Sequence, residues 1–321
     1  MAGRKVNVTE WTMDGVLNDI ADKHGGMKNR SFAFILGAGA SVTSGISSGA
    51  KLAMDWLQES HDRECMDGMD LTDWVASGAT GIDGLTLDQT DKFYLQIFKR
   101  RFGNDQDAGY AALENAMEGK EPSFGYSLLA EVIQNTRHSV VVTTNFDNLV
   151  ADALAIHAHQ SPLVVAHESL AGFSGPNLRR PLVAKIHRDL FLHPQNDKES
   201  VDNMDKGWQE ALGKLFQHYT PLIIGYGGND GSLMGFLDKL EKAETPGHMI
   251  WCYHENNRPS NEVLKVVKKH DGVIVSIPGF VEFMLELCRR IVNDFDVTEI
   301  SERTENLGKD RAERYRKEAE N

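Results

Sequence analysis

The strongest constraint on the fold is a short apolar run that breaks directly into small residues. Residues 32–36 read FAFIL and are followed by GAGASVTSGISSGAK over residues 37–51. Continuous apolar residues are typical of a strand that is buried on both faces of a parallel sheet. Gly37 and Gly39 then allow a sharp turn and close approach of the backbone to a ligand. The stretch therefore predicts a strand, a glycine turn and a following helix, the unit that recurs in dinucleotide sites.

A pair of glycines after a strand is more often structural than ligand-binding, so the turn alone does not establish a nucleotide site. Val42 stands where the dinucleotide fingerprint GxGxxG has its third glycine. This difference argues against an ordinary dehydrogenase. Whether the turn binds a nucleotide must therefore be judged from the residues around it.

The continuation of the turn is more specific than its glycines. The string GAGASVTSGI, residues 37–46, resembles the opening motif GAGxSxxSGI of the sirtuin family. The family continues with Pro-Asp-Phe-Arg, where this chain has Ser47–Ala50. The resemblance implies an α/β fold, namely a Rossmann-like doubly wound parallel sheet with a helical insertion, and NAD as the bound molecule. It implies cofactor contacts from Gly37, Ala38, Gly39 and Ser41.

A second motif follows the β-branched run SVVVTT at residues 139–144, which predicts a central strand. Asn145 and Asp147 stand where this strand ends, the position at which doubly wound sheets bind ligands. Both residue types also cap helices, and a helix is predicted over residues 148–157. TTNFD resembles the family motif TQNID, which implies that Asn145 is catalytic and that Asp147 bonds the nicotinamide carboxamide.

A third strand, PLVAKI at residues 181–186, delivers His187 to its carboxyl end. A single histidine at a strand end is more often structural than catalytic. KIHRD resembles the K-x-H-G element of the family, however, and this implies that His187 is the catalytic base. Arg188 replaces the glycine of that element, and we expect its side chain to narrow the channel through which an acyl-lysine peptide would enter.

A fourth motif, GYGGND at residues 225–230, follows the apolar strand 221–224. It resembles the family loop G-x-S/G-x-x-D, which implies contacts from Gly225, Gly227 and Asp230 to the adenosine half of NAD. The carboxylate of Asp230 could bond a ribose hydroxyl or cap a helix over residues 232–240, and the sequence favours neither role.

The rest of the chain is predicted from periodicity and composition. Residues 1–300 form a sirtuin-like NAD-binding domain with a helical insertion at about 61–125, and residues 301–321 form a charged helical tail or linker. Further segments are an amphipathic helix from Thr9 to Lys23, apolar strands at 163–166, 249–253 and 272–277, a polar loop at 191–207 and a last helix at 280–295.

Composition excludes several classes of protein. The net charge of -13 over 321 residues argues against direct nucleic-acid binding, because phosphate backbones require a cationic face. The chain has no apolar run of about 18 residues and no signal-peptide core at its start, which predicts a cytoplasmic protein without a membrane partner.

Cys65, Cys252 and Cys288 lie far apart, and none belongs to a CxxC pair. Three thiols cannot supply the four-cysteine zinc module that protein-deacetylating sirtuins typically carry, so we expect no metal.

The resemblance implies a reaction. Four motifs in the family's order imply an NAD glycohydrolase, with NAD as its substrate. Zinc-lacking members of the family often act in bacterial anti-phage defence, which implies a regulated homo-oligomer and a partner such as an ATPase, a helicase or a sensor domain. Two other functions stay open: a module that senses NAD or ADP-ribose derivatives, and zinc-free deacylation or ADP-ribosyl transfer.

Overall fold

The chain folds around a parallel β-sheet. A computed structural model describes residues 6–64, 68–188, 204–241 and 245–320. Within these ranges eight strands pair in the order β1-β8-β7-β6-β2-β3-β5-β4, and every pairing is parallel. The strands are β1 (Thr9–Trp11), β2 (Ser31–Leu36), β3 (Val140–Thr143), β4 (Leu163–Val165), β5 (Leu182–Lys185), β6 (Tyr219–Ile224), β7 (Ile250–His254) and β8 (Val273–Ile277).

Helices connect the strands and cover both faces of the sheet. Within the described ranges they are α1 (Met13–Gly26), α2 (Gly49–Glu64), α3 (Leu71–Ala76), α4 (Tyr94–Phe102), α5 (Gln106–Met117), α6 (Phe124–Asn135), α7 (Leu149–His157), α8 (Lys206–Phe216), α9 (Gly231–Lys239), α10 (Asn261–Lys269), α11 (Phe280–Ile291) and α12 (Val297–Ala319). Short 3-10 turns cover Ala38–Ala40, Val42–Ser44, Leu87–Phe93 and Glu168–Phe173.

Each face of the sheet has its own hydrophobic core, and β2 supplies side chains to both. Phe32 and Phe34 belong to the core on the face of α1, α6, α7 and α11. Ala33 and Ile35 belong to the core on the face of α8, α9 and α10. Successive side chains of a strand point to opposite faces, so a strand buried on both faces must be apolar throughout. The predicted α/β fold, a doubly wound parallel sheet, is confirmed.

The prediction for the start of the chain was wrong in part. Thr9–Trp11 is the edge strand β1, which pairs with β8, and the helix begins only at Met13. The Thr12 hydroxyl accepts a hydrogen bond from the Gly15 N–H and so caps that helix. A three-residue strand has too few residues to show a periodicity, and its partner lies more than 250 residues away in the sequence.

Two other helices differ from the prediction. The helix expected over residues 280–295 ends at Ile291, and α10 over Asn261–Lys269 was not predicted. The loop expected over residues 191–207 lies mostly outside the described residues, and Lys206 already belongs to α8.

The helical insertion between β2 and β3 has a separate core that α2, α3, α4 and α5 share. Trp56 packs against the rings of Phe98 and Phe102, with ring centroids 5.3 Å and 5.5 Å apart. Phe146, which lies in the loop after β3, also packs against this core. The insertion therefore contacts the loop that carries the predicted catalytic asparagine.

The charged residues near the end of the chain belong to α12, which begins at Val297. Ile300 is the buried residue of α12, and Arg303 donates a hydrogen bond to Glu131 on α6. From Gly308 to Glu320 the side chains are exposed. None of the described helices has the length and apolar character needed to span a bilayer.

A buried histidine ties α1 to the amino-terminal ends of β2 and β3. His138 accepts the backbone N–H of Phe32 at Nδ1, and its Nε2 lies 3.1 Å from Nδ1 of His24. The Arg137 guanidinium donates to carbonyl oxygens of Lys23, His24 and Met27 at the end of α1. Burial, with added repulsion from His24 and Arg137, lowers the pKa of His138 to about 3.

This burial predicts a loss of stability in acid. The unfolded chain protonates His138 near its ordinary pKa of about 6.5, whereas the folded chain keeps it neutral until far lower pH. Stability is therefore present above pH 6.5 and falls as the pH decreases, by about 2 kcal/mol from this residue between about pH 6.5 and pH 5. Denaturant unfolding at a series of pH values measures this change.

The substitution His138→Asn keeps an acceptor for the Phe32 N–H and removes the titrating group. We expect the pH dependence of the unfolding free energy to decrease by about 2 kcal/mol over the same interval. His218→Asn, at an exposed position, is the matched control. An unchanged slope in His138→Asn would contradict the prediction.

Candidate functional site

The four sequence motifs meet at the carboxyl edge of the sheet. Leu36 at the end of β2 pairs with Thr143 of β3 and with Ile224 of β6. Thr143 also pairs with Lys185 at the end of β5. Because all these strands are parallel and end at the same level, the loops that follow them lie side by side. The structure thus brings the glycine turn, Asn145, His187 and the loop after β6 to one edge.

The glycine turns after β2 and β6 pack directly against each other. The N–H of Gly39 donates to the carbonyl of Gly225 over 2.9 Å. A Cβ atom on Gly37 would lie 2.5 Å from the Cα of Tyr226, and one on Gly225 would lie 2.4 Å from the N of Ala40. Gly225 also has a φ of +69°, which L side chains rarely adopt. These glycines are thus required for contact between two backbones, a reason that the sequence did not indicate.

The Ser41 hydroxyl forms hydrogen bonds with the side chains of Asn145, Asp147 and Tyr126 on one side of the site. It donates to Asp147 Oδ2 over 2.8 Å and accepts from Asn145 Nδ2 over 3.0 Å. Asn145 Nδ2 also donates to the carbonyl of Gly37 over 3.2 Å. The Tyr126 hydroxyl lies 2.8 Å from the Ser41 oxygen and, since the Ser41 hydrogen goes to Asp147, donates to it. Ser41 is 1% exposed, and we infer that it orients the side chains around it.

The Asp147 carboxyl joins this network to the next helix. Its Oδ1 accepts the backbone N–H of Leu149 at the start of α7, which is the capping role that the sequence also allowed. Burial raises the pKa of Asp147, and the hydrogen bonds from Ser41 and Leu149 and the charge of Lys185 oppose that effect. The contact of Asp147 with nicotinamide stays a prediction.

Lys185 forms hydrogen bonds with the loop between Asn145 and α7. Its side chain is buried, and Nζ donates to the Phe146 carbonyl over 2.7 Å and to Asn148 Oδ1 over 2.9 Å. Sequence reasoning missed Lys185 and Tyr126 as parts of the site. Lysine at the end of an apolar strand was the available signal for the first, whereas Tyr126 is one of many apolar positions in its helix.

His187 lies buried at the end of β5. Its Nε2 is 2.7 Å from the hydroxyl of Ser232 and 3.9 Å from Asp230 Oδ1. Burial lowers the pKa of the imidazole, and the negative charge of Asp230 partly opposes this shift. The side chain is therefore a neutral base at neutral pH.

Asp230 caps α9, one of the two roles that the sequence left open. Its Oδ1 accepts the N–H of Leu233 over 2.8 Å and the Ser232 hydroxyl over 2.9 Å. Its Oδ2 accepts the hydroxyl of Tyr226. A contact between Asp230 and a ribose stays a prediction.

The remaining predicted contacts lie on the exposed rim of the same edge. Ala38, Gly39 and Gly227 are exposed there. The helix after the first glycine turn begins only at Gly49, after two 3-10 turns, so the turn itself does not form a helix N-terminus.

Comparison with known proteins agrees with the motifs. Residues 139–274 match the family model described as SIR2-like domain. These residues are thus similar to a SIR2-like domain. This confirms the predicted resemblance to the sirtuin family, and the matched residues include Asn145, His187 and Asp230.

No curated protein matches the chain. A solved structure described as the structural basis for the mechanism and regulation of Sir2 enzymes aligns with a TM-score of 0.45 and 15% identity, covering 86% of this chain and 96% of that chain.

Arg188, which lies inside the matched residues 139–274, adopts a backbone conformation that favours glycine, with a φ of +69°. This gives a physical reason for glycine in the K-x-H-G element. The guanidinium of Arg188 forms two hydrogen bonds with the carboxylate of Glu168, one of them 2.9 Å long from Nε. The ion pair fixes the side chain beside His187, and whether it narrows a peptide channel stays a prediction.

The described residues contain no cluster of three or more histidine, cysteine or acidic side chains placed to hold a metal ion. Cys252 and Cys288 are buried, and burial raises the pKa of both thiols. Cys65 lies outside the described residues.

The contact between the two glycine turns predicts that Gly225→Ala is strongly destabilising. The added methyl group would meet the backbone at Ala40, and alanine is strained at the φ of Gly225. We expect a loss of at least about 2 kcal/mol in the free energy of unfolding, measured by denaturant titration. Gly213→Ala in α8, with no atom within 4 Å of the new methyl group, is the control and should stabilise by up to about 1 kcal/mol. Equal stability of both variants would refute the prediction.

Proposed function

We propose that this protein is an NAD hydrolase that cleaves NAD to nicotinamide and ADP-ribose. The observation that supports it most is the placement of Asn145 and His187. They follow neighbouring strands, each two residues beyond the paired residues Thr143 and Lys185. They lie beside a glycine turn at the carboxyl edge of a doubly wound sheet, where such folds bind nucleotides. The SIR2-like family match over residues 139–274 supports the same reading.

The chemistry requires few groups. Cleavage of the bond between ribose and nicotinamide leaves an oxocarbenium-like carbon and a neutral leaving group, so little acid catalysis is needed. The protein must hold the substrate, exclude bulk water and place one nucleophile. The Asn145 amide nitrogen is held by Ser41 and Gly37, so its carbonyl oxygen would accept a hydrogen bond from the attacking water or from a ribose hydroxyl. His187 would act as the base on that water or hydroxyl.

The biological setting follows from the resemblance. We propose an effector of bacterial anti-phage defence that depletes NAD on infection, acting as a cytoplasmic homo-oligomer together with an ATPase, a helicase or a sensor domain. The cysteine pattern supports the zinc-lacking type of the family. NAD measured in expressing cells before and after phage challenge tests this role, and an unchanged NAD level would speak against it.

Release of nicotinamide from NAD is the direct test of the reaction. We expect Asn145→Ala and His187→Ala each to lower the rate by about 10²-fold or more, because each removes a group that acts on the nucleophile. His218→Ala is the control and should keep the parent rate, because His218 is exposed and lies just before β6, at the amino-terminal ends of the strands. Full activity in both site variants would exclude the proposed mechanism.

Other outcomes separate the alternatives. Tight binding of NAD by calorimetry without release of nicotinamide would support a sensing module. Release that depends on an added acyl-lysine peptide would support deacylation, and Arg188→Gly should then increase it if the arginine narrows a peptide channel.

The pH profile gives a further prediction. Burial lowers the pKa of His187, so the neutral base persists as the pH falls to the ordinary range of histidine. The rate of nicotinamide release should be flat from about pH 8 to about pH 6.5 and should fall only below that interval. Circular dichroism at each pH distinguishes this decrease from acid unfolding. A rate that already falls between pH 8 and pH 7 would be inconsistent with a buried neutral base.

A further inference from the structure

A series of hydrogen-bonded polar side chains extends from His187. Its Nε2 contacts the Ser232 hydroxyl over 2.7 Å, and that hydroxyl contacts Asp230 Oδ1 over 2.9 Å. Asp230 Oδ2 in turn accepts the hydroxyl of Tyr226. Ser232 is 3% exposed and His187 is 6% exposed, so these contacts are shielded from bulk solvent.

The number of available hydrogens decides which atom donates in each of these hydrogen bonds. A carboxylate has only acceptors, so the single hydrogen of the Ser232 hydroxyl must point to Asp230. Two lone pairs would otherwise face each other at 2.9 Å. The Ser232 oxygen is then an acceptor for the imidazole, and the histidine nitrogen that contacts it must carry a proton.

We propose that Ser232 and Asp230 are positioning residues that keep the proton of neutral His187 on Nε2, so that Nδ1 is the atom that accepts the proton from water or a ribose hydroxyl. This inference rests on the proposed function for its catalytic meaning. Proton uptake at Nδ1 makes the imidazole a cation, and the Asp230 carboxylate at 3.9 Å then stabilises that charge. A buried carboxylate behind a catalytic imidazole has the same two effects in hydrolase triads.

The surroundings hold Asp230 in this role. The Leu233 N–H and the hydroxyls of Ser232 and Tyr226 occupy both of its oxygens. Tyr226 itself is fixed by its contact with Gly37 and by the ring of Trp251, with ring centroids 5.6 Å apart. Turning the carboxylate toward a ribose would break three hydrogen bonds. Asp230 is therefore held toward the imidazole and not toward a ribose.

Nitrogen-15 NMR of the imidazole rings tests the tautomer without any turnover. In the parent protein labelled at histidine, the His187 signals, assigned by their loss in His187→Gln, should show a protonated Nε2 and an unprotonated Nδ1. In Ser232→Ala the acceptor is gone, and the signals should shift to a mixture of both tautomers. A parent protein with the proton on Nδ1, or a Ser232→Ala variant with the parent tautomer, would overturn the proposal.

Ser232→Thr is the matched rescue. It keeps the hydroxyl, and Ser232 lines a cavity of about 40 Å³ together with Gly235 and Phe236. We expect this variant to restore the parent tautomer. Retention of the tautomer mixture in a folded Ser232→Thr protein would count against a role of the hydroxyl.

Kinetics provide the second readout. Ser232→Ala should lower kcat for nicotinamide release by about 10-fold to 10²-fold with KM changed less than about 3-fold, and Ser232→Thr should regain most of the rate. A protein that releases no nicotinamide would contradict the proposed function alone, because the NMR result still decides the tautomer. A confirmed tautomer with full activity in Ser232→Ala would remove Ser232 from the mechanism.

Discussion

The site depends on the contact between the glycine turns after β2 and β6. Two backbones lie so close at Gly37, Gly39 and Gly225 that a single Cβ atom would meet main-chain atoms at 2.4 to 2.9 Å. The Gly37 carbonyl holds the Asn145 amide on one side of this contact. Tyr226, which fills the space beside Gly37, holds Asp230 on the other side. This contact therefore links the positions of Asn145 and Asp230.

Asn145 and His187 are held by the same arrangement of hydrogen bonds. In each, a buried serine hydroxyl donates to a carboxylate and accepts from the side chain that the sequence marks as catalytic: Ser41 with Asp147 and Asn145, and Ser232 with Asp230 and His187. Because buried polar groups are costly unless hydrogen-bonded, the hydrogen bonds of each network oppose rotation of its members. Rigid placement of this kind is what a reaction limited by positioning requires.

The helical insertion, which has its own hydrophobic core, also contacts the site. Phe146 lies between Asn145 and Asp147 in sequence and packs against the core of the insertion. Asn229, in the loop after β6, donates to Asp91 on the same insertion. The insertion thus contacts the loops after β3 and β6, two of the four loops that carry the candidate site.

Apolar runs and glycine turns by themselves determined the parallel sheet, its central strands and the edge at which the site lies, because strands buried on both faces leave an unbroken apolar signal. Only the tertiary structure decided the edge strand at Thr9, the roles of Tyr126, Lys185 and Ser232, and the reason for the glycines. These features depend on contacts between residues far apart in the chain: Ser41 meets Asn145 across 104 positions and His187 meets Ser232 across 45. A hydroxyl or an amide looks the same in sequence whether it faces solvent or a buried carboxylate, and folding alone makes that distinction.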